Sequence, residues 1–553
     1  MDRPEFRADL QSTAFPKIDE SELAEFESCP EAQLRSYRAG ETIYETGAAD
    51  VPVVFVRSGE LEAVDESGDT PKTLVVHGPG NFSGEISLLT GGRALATLVA
   101  RTDCEVFLVS HAGLLRLINL FPQIGDRVVQ AFLARRQLLR ETGTFTGLRV
   151  IGSHFSRDTF RVREFLASNR LLFTSLDLEE HPEVGAFLEQ LGVGVADTPV
   201  VAWGTRMVLK NPSNAELADA IGIRRPLGQT VYDLAVVGAG PAGLAAAVYG
   251  ASEGLSTVVL ERAASGGQAG TSMRIENYLG FPTGLTGSHL ADAAVVQANK
   301  FGAILSIPSP VDRLAFDNGY PVLALEGGET VVSKCLVIAS GAQYRRLDVE
   351  GCERFEGCGV YYAATNADAR AYRGRDVVIV GGGNSAGQAA VFLANAARRV
   401  ILVVRADSLD RSMSSYLARR IEATPNVEVL LNSTVQCLQG GKQLDAVDVR
   451  NAKTGETRRI ETPALFSFIG AVPHTDWLPP EIERDSRHFV LTGPAMAQSP
   501  HWTGRRQPYL LETSRRGVFA AGDVRSGSVK RVSSAVGEGA MAVQFVHEYL
   551  KEM

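Results

Sequence analysis

The stretch Tyr232–Glu261, YDLAVVGAGPAGLAAAVYGASEGLSTVVLE, restricts the fold more than any other part of the chain. Leu234–Val237 is an apolar run of strand length; it breaks at Gly238-Ala239-Gly240-Pro241-Ala242-Gly243 and continues as an alanine-rich helical segment. In such a unit the first glycine permits a tight turn and the second lets backbone N–H groups approach a pyrophosphate. The third allows helix and strand to pack closely, and the helix N-terminus adds positive potential. The next apolar run, Ser256–Leu260, ends at Glu261, where a carboxylate can accept hydrogen bonds from an adenosine ribose. Strand, loop, helix, strand and acid in register predict a dinucleotide site on a parallel α/β sheet.

The 553 residues provide for about three or four domains. With 45% hydrophobic and 22% charged residues the chain is ordinary globular material, and its net charge of −9 argues against nucleic acid or an anionic membrane as partner. The N-terminus, MDRPEFRADL, lacks a basic region followed by an apolar core, and no apolar run reaches transmembrane length, so a cytoplasmic protein is expected. The six cysteines are scattered without a C-x-x-C pair, which predicts reduced thiols, and no metal site is expected. Cys352 and Cys358, separated by ERFEG, read as two loop thiols rather than a redox pair.

Residues 1–143 contain short β-like segments between turns, from Tyr37 to Ser110, then an amphipathic helical stretch from His111 to Glu141. A small antiparallel barrel with a C-terminal helix is expected. Gly80-Asn81-Phe82-Ser83-Gly84-Glu85 and Arg93-Ala94-Leu95-Ala96-Thr97 resemble the phosphate-binding cassette of the cyclic nucleotide-binding domain family. The resemblance implies Glu85, beside Gly84, on a ribose hydroxyl and an arginine on a cyclic phosphate. Arg93 stands one residue before the matching place, which re-aims its side chain in an extended segment. A cyclic nucleotide ligand and a ligand-free structural or dimerisation barrel both remain open.

Residues 144–226 read as βαβαββα: LRVIG, a helix, LLFTSLDLE, HPEVGAFLEQLG, then the hairpin ADTPVVAWGTRMVL. The order resembles a glutaredoxin or thioredoxin fold, with Thr198-Pro199 at that family's cis-proline turn. Where the family has C-x-x-C this chain has Ser156-Arg157-Asp158-Thr159-Phe160, so no thiolate forms there and dithiol exchange by this domain is excluded. A docking surface or spacer is expected.

Beyond the linker Arg224–Gly228 come Gly266-Gly267-Gln268, Arg274-Ile275-Glu276-Asn277-Tyr278 and Val337-Ile338-Ala339-Ser340-Gly341-Ala342. A second strand–loop–helix unit follows at Asp376–Ala386, and Gly522-Asp523 and Ser528–Gly539 lie near the C-terminus. Together these elements resemble the small, two-domain thioredoxin reductase family over roughly residues 231–550. The resemblance implies FAD on Gly238, Gly240, Pro241, Ala242, Gly243, Glu261, Arg262, Gly267, Gln268, Asn277, Ala339, Ser340, Gly341, Gly522, Asp523 and Ala535. It implies NAD(P)H on Gly381, Gly383, Asn384, Ser385 and Ala386, and a homodimer. The FAD domain would comprise residues 230–346 and 473–553, with an NAD(P)H domain, 347–472, inserted. Arg405, after the strand Val400–Val404, with Arg411 nearby and no acid in that place, favours NADPH over NADH. The expected fold class is thus a multidomain α/β and α+β chain: barrel, thioredoxin-like domain, and two Rossmann-like three-layer nucleotide-binding domains.

One departure changes the chemistry. Where thioredoxin reductases carry C-A-T-C, this chain has Ala363-Ala364-Thr365-Asn366, and neither alanine nor asparagine forms a thiolate or a disulfide. Three readings remain: a flavoenzyme passing electrons from NAD(P)H through FAD to a small or protein acceptor, a ligand- or redox-sensing scaffold with little turnover, and a disulfide reductase using Cys352 and Cys358 or a partner's thiols. No catalytic acid or base is assigned, and His289 and His474 are left out of the site.

Overall fold

The computed structural model describes residues 10–26, 29–66, 71–84, 93–142, 148–180, 184–190, 192–203, 207–228, 231–272, 275, 278–356, 359–362, 364, 366–441 and 443–553. Among the described residues the N-terminal strands form two antiparallel sheets. One contains Ala32–Tyr37, Cys104–Val109 and Val53–Ser58; the other contains Thr42–Tyr44, Thr97–Ala100, Leu61–Asp65 and Lys72–His77. Phe26, Phe55, Phe82, Phe107 and Phe132 are fully buried and share one core. The expected single helix from His111 to Glu141 is two, His111–Leu120 and Pro122–Thr142, because Pro122 suits a first helical turn and not an interior one.

The second domain has the expected element order. Strands Met207–Lys210, Val200–Trp203, Leu148–Gly152 and Phe173–Asp177 lie side by side in that order, the last two parallel, with helices Arg157–Ser168, Val184–Gln190 and Asn214–Ile221. Ser156 caps the first helix by accepting the Thr159 N–H. The Thr198-Pro199 bond is cis, and a Cβ on Gly152 would lie 3.4 Å from Pro199 Cα. The proline thus stands beside the start of that helix.

The rest of the chain repeats one plan twice. In the first unit the parallel strands Ile304–Ser306, Thr257–Leu260, Tyr232–Val237, Thr330–Ile338 and Val518–Ala520 form a sheet. The second has Val360–Tyr361, Leu465–Ser467, Asp376–Val380, Arg399–Val403 and Val427–Leu430. Helices cover one face of each sheet and the antiparallel meander with its adjoining loops covers the other, so the central strands are buried on both faces and read as continuous apolar runs; Asp376–Val380 is buried at every position. An antiparallel three-stranded meander flanks each parallel set. A two-stranded ribbon, Ala342–Tyr344 against Ala471–Pro473, joins the units. The outer domains also touch this body: Val296 of helix Gly287–Lys300 lies in the N-terminal core, Arg157 donates to Glu353 O at 2.9 Å, and the Phe160 and Tyr361 rings are 6.3 Å apart. Among the described residues no helix is long and apolar enough to cross a membrane.

Candidate nucleotide-binding sites

The two glycine loops lie at the carboxyl ends of parallel strands, where such sheets bind ligands. Gly238 has φ 107°, and a Cβ there would lie 2.3 Å from Ala339 O. The turn therefore needs glycine twice over, for its left-handed backbone and because Ala339-Ser340 passes against it. A Cβ on Gly243 would stand 1.8 Å from Gly238 O, so the helix Pro241–Ser252 seats on its own loop only without a side chain there. Gly240 has no protein atom nearer its Cβ position than Gly267 Cα at 3.9 Å, which leaves its face open to a ligand.

Segments far apart in sequence converge on this loop. A Cβ on Gly522 would meet Ala242 Cβ at 2.9 Å and Ala535 Cβ at 3.8 Å, which puts Gly522-Asp523 beside Pro241-Ala242 and the start of helix Val532–Leu550. Gln268 Nε2 donates to Ala342 O, and Ser340 Oγ donates to His474 O at 2.8 Å. Gly341, with φ 65°, accepts the His474 N–H at 3.2 Å. Asn277 lies outside the described residues, as do Ala363 and Cys358.

Glu261 accepts the Ala239 N–H at 2.7 Å and the Ala263 N–H at 3.0 Å. Burial nevertheless pushes its carboxyl above the usual carboxylate range, and burial does the same to Asp523. Donors from a bound ligand, such as ribose hydroxyls, favour the ionised forms. An acid whose folded pKa is raised makes the apoprotein less stable as pH climbs through that value; a ligand that stabilises the anion offsets the loss. FAD affinity is therefore expected to tighten as pH rises above the ordinary carboxylate range and then level off, measured as Kd by flavin fluorescence. A flat profile in wild type, with no difference in Glu261→Gln, contradicts this.

Three neighbours carried no usable signal in the sequence. His474 directly follows the ribbon between the units, its Nε2 against Arg262 Nη1, and burial with the Arg262 charge lowers its pKa. Glu538 accepts the Gly522 N–H at 2.7 Å and pairs with Arg525 at 2.5 Å, fixing the turn that carries Asp523. Arg170, from the second domain, bonds to Ser265. A lone histidine, glutamate or arginine has no local pattern to single it out; only tertiary placement does.

In the second unit Gly381 has φ 143° and a Cβ there would lie 2.4 Å from Phe468 O. Gly383 precedes helix Asn384–Ala394, Ala386 is buried and Ser385 exposed. The loop after strand Arg399–Val403 folds back here: Ser412 Oγ donates to Gly382 O at 2.8 Å, and Asn384 Oδ1 accepts the Ser414 N–H at 2.7 Å. Arg405 is exposed, and Arg411 pairs with Asp407 at 3.0 Å. A cleft of about 520 Å³ opens at the opposite, amino end of these strands, between Asp376, Arg398, Arg399 and Glu428. Its acids are ion-paired to its arginines, so it is a charged seam away from the glycine loop.

These features fit the comparisons with known proteins. The model of the pyridine nucleotide-disulphide oxidoreductase family matches residues 232–539. The chain belongs to the pyridine nucleotide-disulphide oxidoreductase family. A cyclic nucleotide-binding domain, matched over residues 34–120, is fused to it. Thioredoxin reductase of Treponema pallidum is 34% identical over 322 residues, 58% of this chain and 98% of that protein. Thioredoxin reductase of Bacillus subtilis is 33% identical, covering 59% and 96%. The crystal structure of Lactococcus lactis thioredoxin reductase in its FR conformation superposes with a TM-score of 0.53 at 27% identity, over 58% of this chain and 100% of that one. That of T. acidophilum thioredoxin reductase gives 0.52 at 28% identity, over 58% and 99%. This oxidoreductase is FAD-dependent and uses NAD(P)H. The open face at Gly240 and the desolvated acids at Glu261 and Asp523 are what an adenine dinucleotide with ribose and ribityl hydroxyls requires.

In the N-terminal domain Gly84 O accepts Arg135 Nη1 at 2.6 Å, while Glu85 lies outside the described residues. Arg93 Nη1 donates to Gly47 O at 3.0 Å, and the Arg93 side chain packs on Gly222 of the second domain. His154, Asp177 and Glu179 bring ligand atoms within 4.8 Å of one another on the second domain, with His154 and Glu179 exposed and the three already bonded together.

Proposed function

We propose that this flavoenzyme takes electrons from NADPH and delivers them from FAD directly to a small or protein acceptor, without a C-x-x-C relay. The observation that carries this is the residue set at the place of the family's dithiol, Ala363 and Asn366. The remaining thiols support it. Cys335 and Cys352 are buried, and burial raises both thiols above their ordinary range, so neither is a ready thiolate at neutral pH. When bound, FAD supplies a two-electron acceptor for a nicotinamide hydride. The protein's share is positioning: the Gly238–Gly243 turn holds a pyrophosphate, Glu261 a ribose, Asp523 the ribityl chain, and the Gly381–Ala386 turn the second nucleotide.

The test is an anaerobic titration of the holoenzyme with NADPH, followed by a screen of quinones, dioxygen and one-electron carriers. The flavin absorbance is expected to bleach within minutes, with turnover surviving Cys352→Ala. No bleaching by NADPH or NADH removes the reading, and loss of turnover on that substitution replaces it with a disulfide reductase.

Arg405 is read as the residue that takes the 2′-phosphate, since it is exposed and follows Val404, which lies against Gly382, while Arg411 is already paired to Asp407. Arg405→Ala is expected to raise the KM for NADPH about 10- to 100-fold and to leave that for NADH nearly unchanged, as loss of a charge-assisted phosphate contact dictates. Equal effects on both nucleotides refute that assignment.

A further inference from the structure

The turn that ends helix Arg157–Ser168 belongs to the second domain, yet it lies against the loop that follows Glu261. Asn169 Nδ2 donates to Ala263 O at 2.9 Å. The Arg170 guanidinium donates through Nη1 and Nη2 to Ser265 O, both at 3.0 Å, and through Nη2 to Ser265 Oγ at 2.5 Å. Its Nε pairs at 2.5 Å with Asp292 on helix Gly287–Lys300. The two side chains are only 10% and 15% exposed, so this contact is largely out of water. The residue after Ser265, Gly266, donates its N–H to Ala239 O at 2.7 Å, and Gly267 then packs on Gly240. The arginine therefore grips the chain directly before the point where the two glycine-containing loops meet.

We propose that Arg170 is a positioning residue for the flavin site: it holds Ser265-Gly266-Gly267 in the shape that closes on the Gly238–Gly243 turn, and the second domain thereby completes that site. The inference rests on reading these loops as the FAD cradle. A planar fork suits the task, because it holds a carbonyl, a hydroxyl and a carboxylate at once, which a lysine does not. The backbone points the same way. Arg170 has φ 57°, a left-handed position following the helix C-cap Asn169 where glycine is favoured, so the arginine is there for its side chain and not for the turn.

That geometry supplies a clean test. Arg170→Gly relieves the left-handed backbone at that position, which offsets part of the cost of leaving Asp292 without its cation, and circular dichroism of the apoprotein establishes that the variant is folded before FAD is added. In the full-length apoprotein titrated with FAD, Arg170→Gly is expected to raise Kd about tenfold or more, with altered flavin fluorescence and a far-ultraviolet circular dichroism spectrum like that of wild type. Arg170→Lys is expected to fall between the two. Arg157→Ala, at the other end of the same helix, loses its contact with Glu353 O and should change the FAD Kd by less than about twofold. The proposal is overturned if Arg170→Gly binds FAD within about twofold of wild type, or if Arg157→Ala weakens it equally. Gly240→Val tests the underlying reading separately: normal FAD uptake in that variant means that the loops are not the cradle, whereas its loss beside a normal Arg170→Gly sinks this proposal alone.

Discussion

Gly243→Ala is expected to yield a colourless protein, with FAD affinity reduced at least about 100-fold, roughly 3 kcal/mol. The added Cβ would lie 1.8 Å from Gly238 O and 3.3 Å from Val236 Cγ1. The first of these is backbone, and no rotamer change relieves a clash with backbone, so the helix must move off the loop that it anchors. Gly240→Ala is the informative partner. Its Cβ meets only Gly267 Cα, at 3.9 Å, so the apoprotein keeps its stability while FAD binding weakens, because the methyl group occupies the ligand's approach. Titration of both apoproteins with FAD, with urea unfolding alongside, separates the two mechanisms. Equal stability of Gly243→Ala and wild type would show that helix and loop are not packed as described.

Glu512→Ala is expected to be among the most destabilising single changes in the unit that carries the Gly238–Gly243 loop, by about 3–5 kcal/mol. The Glu512 side chain is fully buried. It accepts Arg506 Nη1 at 2.6 Å and Nη2 at 3.0 Å, the Tyr509 N–H at 3.0 Å and the Gly517 N–H at 3.0 Å. Removing it takes the buried partner from the half-buried Arg506 guanidinium, which keeps Glu552, and leaves two backbone donors without their acceptor. The turn it organises leads into strand Val518–Ala520, which delivers Gly522-Asp523 to the Gly238–Gly243 loop, so FAD affinity is expected to fall with stability. Glu512→Gln keeps the shape and part of the bonding and should lose less. Denaturant midpoints of the three proteins, saturated with FAD and without it, decide the matter; a midpoint for Glu512→Ala within about 1 kcal/mol of wild type counts against a network that holds the strand.

Much of the nucleotide-binding body was legible in the chain itself. A doubly covered parallel strand is apolar along its whole length, and Leu234–Val237 and Asp376–Val380 announce that environment directly. The glycines of both loops answer demands of the backbone and of close packing, so they too are written in sequence. The N-terminal region was less legible. Its strands are short and its pairings long-range, and the break between its two helices turned on Pro122 in an otherwise continuous pattern. Arg93 showed the limit most sharply: its spacing could suggest a phosphate ligand, but only the fold places it on Gly47 O and against Gly222.

The sequence by itself determined the local requirements: where glycine must stand, which strands lie buried on both faces, which acid follows the second strand, and that Ala363 and Asn366 form no disulfide. These depend on a residue's own backbone and chemistry, or on neighbours a few positions away. Only the tertiary structure decided which distant groups meet. It set Gly522 against Ala242, Glu538 beneath the Asp523 turn, His474 beside Arg262, and Arg170 on Ser265. A single charged or small residue has no periodicity that could mark it in advance. Its partner, 95 positions away in the case of Arg170 and Ser265, is chosen by how the domains pack.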